Sequence, residues 1–231
     1  MSTNLAQQLR EGTTKSHSMA ENVSFVKSFL SGVVDKKSYR RLVANLFFIY
    51  SAMEEEIEKH KNHKFVKYIY FAELFRKSSL IKDLEYYYGP DWLNIIEPSE
   101  ATKIYISRIH QISLDQPELL IAHAYTRYIG DLSGGQILKK IAISSMQLSG
   151  SLGTSFYDFD QISDEKKFKD IYRKSLNDTP LNNTKIREII SEANIAFNLN
   201  MKIFQELDSN VVKVMFMLFL SSIKHLKNKF I

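Results

Sequence analysis

The segment YTRYIGDLSGGQILKK, from Tyr125 to Lys140, decides the predicted fold because it places three glycines inside a long helical pattern. The glycines are Gly130, Gly134 and Gly135, and each glycine in a helix interior costs about 1 kcal/mol relative to alanine. Gly130 and Gly134 are four residues apart and share one helix face, so a flat molecule or another backbone can come very close to it. The pair Gly134 and Gly135 predicts a kink.

Polar side chains surround the glycine strip formed by Gly130 and Gly134. Two interpretations stay open from the spacing alone. In the first, the small residues let two helices cross and the polar neighbours face water. In the second, the strip holds a ligand, because a glycine within a helix has either a packing or a functional reason. The polar neighbours are Tyr125, Thr126, Arg127, Tyr128, Asp131 and Ser133.

The composition predicts an ordinary globular protein with one large domain, residues 1–231. Hydrophobic residues make up 44% of the chain and charged residues 25%, and with only 8 glycines and 4 prolines few positions can interrupt a helix. The chain has no cysteine, which excludes disulfides, thiolate metal sites and a cysteine nucleophile.

The charge favours an anionic partner, since the net charge is +5 and the pI is about 9.1. The lysines are spread over several amphipathic helices without a nucleic-acid-binding signature, so we expect no nucleic-acid partner. A small dianion and an acidic electron-transfer protein both suit a basic surface. The charge alone does not choose between them.

No segment has the pattern of a signal peptide or a membrane span. The N-terminal MSTNLAQQLREGTTKSH is polar, unlike a signal peptide. Residues 211–220 are apolar except for Lys213, but they fall far short of the roughly 20 residues that a spanning helix needs, so they predict a buried helix. We therefore expect a soluble protein of the cytoplasm, or of the plastid stroma if plastid-encoded, without a membrane anchor.

Helical periodicity continues through the chain. Asp35 is predicted to cap a long helix whose apolar residues recur at steps of three and four, from Tyr39 to Ile57. The longest predicted loop covers residues 150–160. No segment shows the alternation of a strand, so the predicted fold class is all-α. The predicted helices cover residues 4–16, 18–31, 35–57, 65–75, 80–88, 99–112, 115–146 and 163–177, followed by one from 179 and a last one capped at 208–210.

Histidine is the remaining candidate for a metal ligand. His60 and His63, near the end of a lysine-rich helix, are interpreted as solvated, although they could share a metal weakly. His17 lies four residues before Glu21 on the same helix face, and a carboxylate can hold the second ring nitrogen of a ligating imidazole. From the residues alone, a lone histidine is more often not a ligand. The histidines interpreted as structural or surface residues are His110, His123 and His225.

The segment 125–140 resembles the signature of heme oxygenases, with Ile129 where many members have leucine. Further matches run from Arg10 to about Phe204. The stretches RLVANLFFIYSAMEEEIEKH and YYYGPDW are most similar to the cyanobacterial and algal-plastid branch of that family. The resemblance implies a single-domain irregular helical bundle, with heme between a proximal and a distal helix.

The resemblance also implies which residues contact heme. His17, in a segment similar to the family's LREGTxxxH-like motif, is expected to bind the iron, with Glu21 beside it. Four residues are expected at the heme propionates: Arg10, Tyr125, Lys169 and Arg173. For the last two, a solvated charged helix is the alternative. The remaining expected pocket residues are Phe25, Tyr50, Phe197, Asn200 and Phe204, although without the resemblance an aromatic stripe at helical spacing is more often plain core.

The reaction that the resemblance implies uses heme b as both substrate and oxygen-activating cofactor. O₂ and external electrons open the ring at the alpha-meso carbon, which gives biliverdin IX-alpha, carbon monoxide and ferrous iron. Gly130 and Gly134 let the distal helix lie almost on the ring, and Asp131 holds a water network that delivers protons. The residues expected to extend that network are Arg127, Tyr50 and Asn200.

The implied partners are reduced ferredoxin as electron donor and a downstream bilin reductase, in phycobilin or phytochrome chromophore synthesis. Other classes stay open. A heme-binding carrier or sensor would keep His17 without turnover, but the intact Gly130, Asp131 and Gly134 disfavour it. A di-metal oxidase needs Glu-x-x-His spacing and a thiaminase-like hydrolase needs a cysteine, and the chain has neither. An all-helical adaptor leaves the three glycines unexplained.

Overall fold

The computed structural model describes residues 3–207, and every regular element in this range is helical, as predicted. A π-helical turn, Tyr125–Ile129, connects α6 to α7. No helix within these residues is long and apolar enough to cross a membrane. The α-helices are α1 (Leu5–Glu21), α2 (Ser24–Leu30), α3 (Lys36–Lys59), α4 (Lys77–Tyr88), α5 (Glu100–Asp115), α6 (Leu120–Ala124), α7 (Gly130–Met146), α8 (Glu165–Asp178) and α9 (Asn183–Leu207). Short 3₁₀ turns lie at Val66–Tyr68, Ala72–Leu74, Trp92–Asn94, Pro117–Leu119 and Ser155–Tyr157.

Helix α3 packs against α4, α5, α6 and α9. Asp35 begins it as predicted, because its carboxylate accepts a hydrogen bond from the backbone N–H of Ser38 at 2.9 Å and so satisfies one of the unpaired donors of the first turn. The apolar residues that recur along this helix are buried, among them Leu42, Ile49 and Met53. Burial of this apolar face holds the long helix among its neighbours.

Helices α1 and α9 come close together because Gly12 has no side chain. A Cβ atom at residue 12 would lie 2.5 Å from Cγ2 of Ile190, which is inside the contact distance of two carbon atoms. The amide of Asn194 on α9 also donates a hydrogen bond to the carbonyl of Gly12 at 3.1 Å. This close packing brings the ring of His17 to 5.7 Å from the ring of Phe197, centroid to centroid.

The segment predicted as one helix, residues 115–146, is interrupted. Helix α5 ends at Asp115, and a 3₁₀ turn, the short helix α6 and the π turn precede α7. Helical hydrogen bonding continues through Gly134 and Gly135, and the departure from α geometry lies at Tyr125–Ile129. The predicted position of the irregularity was therefore wrong by several residues. Turns of π type inside helices are frequent at functional sites.

Three other predicted boundaries were also wrong. Residues 17–21 continue α1 and do not begin a second helix. Residues 65–75 contain two separate 3₁₀ turns rather than a helix. Helix α9 begins at Asn183, because the residue before proline disfavours the α conformation and Thr179 is extended. The predicted cap at 208–210, the predicted helix 211–220 and His225 lie outside the described residues.

The segment between α7 and α8, which contains the predicted loop 150–160, is fixed by Asp83 of α4. The carboxylate of Asp83 accepts hydrogen bonds from the backbone N–H groups of Ser155 and Phe156 at 2.7 and 2.8 Å. Phe156 and Tyr157 are buried. This segment therefore supplies a fixed wall of the interior.

The contact between Gly12 and Ile190 predicts the effect of a methyl group at residue 12. Gly12→Ala should destabilise the protein by about 1 kcal/mol or more, because overpacking costs about 1–3 kcal/mol and exceeds the gain of about 1 kcal/mol in helix propensity. The free energy of unfolding in urea measures this effect. Lys15→Ala, an exposed substitution on the same helix, is the control and should change stability little. A more stable Gly12→Ala protein would contradict the described packing of α1 on α9.

Candidate functional site

A cavity of about 400 Å³ opens between α1, α2, α3, α7 and α9. Its volume lies within the range of pockets for small molecules and cofactors, and its lining is mainly apolar. Ten of the predicted site residues line it: His17, Glu21, Phe25, Arg127, Gly130, Asp131, Gly134, Phe197, Asn200 and Phe204. The structure therefore brings residues from the two ends of the described chain into one site.

The histidine side of the cavity is the last turn of α1. Nδ1 of His17 lies 3.6 Å from Oε1 of Glu21, and both side chains are more than half exposed. This distance is longer than a good hydrogen bond, but the carboxylate is within ion-pair range of the ring. The edge of the His17 ring packs on Phe197 of α9. One ring nitrogen of His17 is therefore near a carboxylate while the ring itself borders the cavity.

The glycine strip of α7 also borders the cavity. A Cβ atom built at Gly130 or Gly134 meets no heavy atom of the described residues within 4 Å, whereas one at Gly135 would lie 3.3 Å from Cδ1 of Tyr157. No helix of the described residues crosses α7 at Gly130 or Gly134. Of the two interpretations of the strip, the structure favours the one in which it faces a ligand.

Beside the strip, Asp131 is held by a hydrogen-bonded network. The hydroxyl of Tyr50 donates to Oδ2 of Asp131, and Nε of Arg127 donates to the Tyr50 oxygen at 3.0 Å. Nη1 of Arg127 donates to Oδ1 of Asn200. Burial raises the pKa of Asp131, while the charge of Arg127 and the hydrogen bond from Tyr50 oppose this rise.

Tyr50 does not line the cavity, although the sequence places it among the pocket residues. Its side chain is fully buried, and it lies behind the wall, where its hydroxyl meets Asp131. The guanidinium of Arg127 lies over the Tyr50 ring at 4.8 Å from its centroid, a cation–π contact that helps to offset the cost of burying the charge. The expected contact of Tyr50 with the ligand is therefore replaced by a contact with Asp131.

The four residues expected at the propionates do not line the cavity either. Nζ of Lys169 donates to the carbonyl of Leu132 at 3.3 Å, and Arg173 forms an ion pair with Asp170 at 2.9 Å. Burial raises the pKa of Tyr125, and the positive charges of Arg10 and Arg173 oppose this rise. These two arginines are therefore near Tyr125, whose chain neighbour Thr126 lines the cavity. This basic group borders the site from outside.

Several lining residues were not predicted. Ile137 and Leu138 follow Gly134 by three and four residues, so helix periodicity could have indicated them. Phe156 and Tyr157 come from the segment between α7 and α8, which has no periodic pattern. The residues missed in this way also include Phe29, Leu42 and Leu46.

The other histidines within the described residues have structural contacts. Nε2 of His60 lies 2.9 Å from the Ser113 hydroxyl, and Nδ1 of His110 lies 2.7 Å from Oε1 of Glu56. His123 is fully buried. Among residues 3–207, no three histidine, aspartate or glutamate side chains are grouped as a metal site. His60 and His63 are half-buried rather than solvated, because they pack on each other and against neighbouring residues.

The fold and the cavity define an all-α protein that holds a ligand between a histidine-bearing helix and a glycine-lined helix. A family model described as Heme oxygenase matches residues 3–206. The heme oxygenase of Porphyra purpurea is 64% identical over 224 residues, which are 97% of this chain and 95% of that protein. Heme oxygenase 1 of Synechocystis is 57% identical over 213 residues, 92% of this chain and 88% of that protein. The chain belongs to the heme oxygenase family.

Solved structures agree with this assignment. The crystal structure of heme oxygenase-1 from the cyanobacterium Synechocystis in complex with heme has a TM-score of 0.90 and 55% identity, and the match covers 95% of this chain and 99% of that one. Heme oxygenase-2 of Synechocystis, in complex with heme and NO, has a TM-score of 0.89 and 47% identity, over 90% of this chain and 87% of that one. The family and the fold expected from the resemblance are confirmed.

The cavity fits heme on observations of this structure. The open space over Gly130 and Gly134 accepts a planar group that a Cβ atom would obstruct. His17 supplies an imidazole at the border of the same cavity, and imidazole is a common axial ligand of heme iron. Phe25 and Phe204, stacked at 6.1 Å and 15°, add apolar surface that suits a porphyrin.

The glycine strip predicts opposite effects on stability and on heme affinity. Gly134→Ala should stabilise α7 by up to about 1 kcal/mol, because the added methyl group meets no described atom, and should weaken heme binding by narrowing the cavity. Urea unfolding and an absorption titration with hemin measure the two effects. Gly135→Ala has the same propensity gain but contacts Tyr157, so it should stabilise less than Gly134→Ala. Lys140→Ala, an exposed substitution on the same helix, is the control for heme affinity and should leave it unchanged. Equal heme affinities for Gly134→Ala and Lys140→Ala would show that the strip does not face the ligand.

Proposed function

We propose that this heme oxygenase opens the heme ring at the alpha-meso carbon, with O₂ and external electrons, and releases biliverdin IX-alpha, carbon monoxide and ferrous iron. The observation that carries the proposal is the meeting, in one cavity, of His17 from α1 with the glycine strip and Asp131 from α7. The two Synechocystis relatives that contain heme in their crystal structures support heme as the ligand. Heme, when bound, supplies the iron on which O₂ is activated and is itself the substrate.

His17 binds the iron in this proposal. A ligating imidazole usually has its other ring nitrogen held by a carboxylate, a carbonyl or water, which fixes the tautomer and the ring orientation. Glu21 lies 3.6 Å from Nδ1 of His17, so a small movement of either side chain completes this contact. Phe197 restricts the ring from the other side.

The basic group outside the cavity orients the heme. Its members approach from α1, the π turn and α8, and they supply cations and a phenol for the two propionates: Arg10, Tyr125, Lys169 and Arg173. Arg173 is already paired with Asp170, and this exposed pair is easily exchanged because surface ion pairs contribute little. Which edge of the ring meets Asp131 depends on this orientation. The propionate contacts therefore set the position of ring opening.

The glycine strip and the apolar walls control access to the ring. Without side chains at Gly130 and Gly134, the backbone of α7 can lie close to one heme face and restrict where O₂ is placed. The apolar residues, among them Phe25, Phe197 and Phe204, remove water from the remaining surface. A dry site strengthens every electrostatic interaction within it.

Asp131 positions the water that delivers protons. Tyr50 donates to Oδ2, and Oδ1 accepts no hydrogen bond from the described residues, so it is available to an ordered water in the cavity. Burial raises the pKa of Asp131, and Arg127 with Tyr50 opposes the rise, which suits a group that exchanges protons with such a water. Asp131 acts here through water rather than on the substrate itself.

The electron donor in this proposal is reduced ferredoxin, an acidic protein, which the net charge of +5 suits. A bilin reductase then uses the biliverdin for phycobilin or phytochrome chromophore synthesis, in the cytoplasm or the plastid stroma. A heme carrier or sensor on the same fold is the alternative. It would need His17 and the basic group, but it has no use for the network around Asp131.

The experiment that separates these functions is an absorption titration with one equivalent of hemin, followed by reduced ferredoxin or ascorbate in air and extraction of the pigment. Loss of the Soret band with formation of biliverdin supports the oxygenase, and the biliverdin isomer reports the position of ring opening. Tight binding without ring opening supports the carrier. Absence of binding would contradict both.

The role of His17 predicts a specific loss of affinity. His17→Ala should reduce heme affinity by at least tenfold and change the Soret spectrum, because the axial imidazole is removed. His110→Ala removes a histidine that contacts Glu56 and serves as the control; its titration should match that of the wild type. Unchanged affinity and spectrum in His17→Ala would assign the ligand elsewhere.

The role of Asp131 predicts a loss of turnover rather than a loss of heme affinity. Asp131→Ala should retain heme binding but lower biliverdin formation by at least 100-fold, in line with the effect of removing a group that positions protons. Single-turnover absorption with pigment analysis measures this loss. Asp91→Ala removes an exposed carboxylate far along the chain from the site residues and should leave turnover nearly unchanged. Full biliverdin formation by Asp131→Ala would refute the assigned role.

A further inference from the structure

Helix α7 carries the glycine strip but has little buried surface to hold it in place. Of its 17 residues, the buried ones are Leu132, Gly135 and Ala142. Within residues 3–207, it packs mainly on the π turn, on α2 and on the 3₁₀ turn Ser155–Tyr157. Burial of an apolar face is what normally fixes a helix in a fold. The position of α7 beside the cavity therefore depends strongly on its polar contacts.

Polar contacts hold both ends of α7. At its start, Asp131 accepts the hydrogen bond from Tyr50. Near its end, the Ser145 hydroxyl donates to the carbonyl of Gly32, just beyond α2, at 2.8 Å. These contacts leave the middle turns, which follow Gly134, to be held by something else.

The middle turns of α7 are held by residues 154–159, here called the wall segment. Nζ of Lys139 lies 2.5 and 2.7 Å from the two carboxylate oxygens of Asp158. One turn earlier, Nε2 of Gln136 donates to the carbonyl of Tyr157 at 2.9 Å. Among the described residues, Lys139 and Asp158 form the only ion pair that joins α7 to another element.

The wall segment is a fixed support for this pair. Asp83 of α4 accepts hydrogen bonds from its backbone. Nη1 of Arg76 donates to the carbonyl of Asp158, and the Arg76 guanidinium lies 3.8 Å from the centre of the Phe159 ring. Nε of Arg76 also donates to the carbonyl of Leu74 at 2.9 Å, so the arginine itself is held. The Asp158 side chain thus starts from a backbone that is anchored independently of α7.

The pair is shielded more than an ordinary surface ion pair. The side chain of Lys139 is 15% exposed and that of Asp158 is 32% exposed. Fully exposed pairs contribute little to stability, but hydrogen bonds between two charged groups are stronger than neutral ones when water is partly excluded. Lys140, the next residue, is exposed and forms no ion pair in the described part of the chain.

Helix geometry links the pair to the glycine strip. Lys139 and Gly135 are four residues apart and share one face, and Gly135 is where the Tyr157 ring of the wall segment comes close. Gly130 and Gly134 lie on a neighbouring face, which borders the cavity. Because a helix turns as a unit, the contact of Lys139 with the wall segment sets the direction in which the strip faces.

We propose that Asp158 is a positioning residue for the glycine strip. Through Lys139 it holds the middle turns of α7 against the wall segment, and this fixes the rotation of the helix at which Gly130 and Gly134 face the cavity. A strip held in this way stays in contact with one face of the bound heme, so heme dissociates slowly. This inference rests on the proposed function, because it takes heme as the ligand that the strip faces.

The test compares Asp158→Asn with Asp160→Asn in the full chain. The first variant keeps the size of the side chain but removes the charge that binds Lys139, and the second removes an exposed carboxylate two residues away. In the heme-free protein, amide hydrogen exchange in residues 136–143 should become about fivefold faster in Asp158→Asn, as expected for the loss of one charge-assisted hydrogen bond. Exchange in α9 should not change, and Asp160→Asn should match the wild type.

Hemin release is the second measurement. Transfer of hemin from the loaded protein to an excess of apomyoglobin gives the dissociation rate, which should be about fivefold higher in Asp158→Asn, since lost contacts act mostly on dissociation. The association rate should change little. Faster exchange in α7 without faster hemin release would show that the pair holds the helix but does not position the strip, and would overturn the proposal.

Lys139→Gln tests the same pair from α7, with Lys140→Gln as its control. The double variant of Asp158→Asn and Lys139→Gln should resemble either single variant, because both remove one interaction. Asp158→Glu restores the charge and should recover most of the slow exchange. The proposal is overturned if Asp158→Asn leaves exchange in α7 unchanged, if exchange in α9 rises equally, or if its effect is the same with and without Lys139. Lys139→Gln decides alone if Asp158→Asn does not fold.

Turnover distinguishes this inference from the proposed function, because neither the exchange nor the hemin-release measurement needs electrons or O₂. If the wild type forms no biliverdin but loss of the pair loosens α7 and speeds hemin release, the oxygenase function is wrong and the positioning role stands. If biliverdin forms and neither rate changes, the positioning role is wrong.

Discussion

The burial of the Arg127 guanidinium is the constraint on which the rest of the site depends. The side chain is 8% exposed, and a buried charge is tolerated only when it is paired and hydrogen-bonded. It donates hydrogen bonds to Tyr50 of α3 and to Asn200 of α9, and the nearby carboxylate of Asp131 on α7 favours its charged form and raises its pKa. Because one cation needs all three, the relative positions of these helices are fixed at the point where the cavity opens.

The π turn at Tyr125–Ile129 places this cation. It ends at Gly130, where α7 begins, so the chain passes directly from the buried arginine to the glycine strip. A wider helical turn changes which residues face inward on either side of it. Arg127 faces the interior on one side of this junction, while Gly130 and Gly134 face the cavity on the other. The network around Asp131 and the glycine strip are thus both positioned by the π turn.

The site also shows where the fold gives up stability for function. The glycines of the strip lower the intrinsic stability of α7, and neither has a packing contact that requires it. Gly12 is the contrast, because its close contact with Ile190 sets how closely α1 approaches α9. Glycines of similar helical conformation are thus present for different reasons: Gly130 and Gly134 for the ligand, and Gly12 for the packing of α1 on α9. Natural proteins commonly retain such costs only where activity needs them.

The sequence by itself determined the all-α class and most helix positions, and its resemblance to the family singled out His17, Asp131 and the glycine strip as candidate site residues. Each of these follows from local pattern, since spacing along a helix defines its faces, together with a signature that the chain keeps nearly complete. The sequence also placed Tyr50 and Asn200 near the site, although it did not show that Tyr50 lies behind the wall.

Tertiary structure alone decided the contacts between residues far apart in the chain. Tyr50 meets Asp131 across 81 residues, and His123 meets Glu192 across 69. Periodicity carries no information about such pairs, because it specifies which face is buried and not what it is buried against. The π turn was missed for a related reason: its backbone geometry satisfies the buried Arg127, a requirement that exists only after α3 and α9 have packed around it.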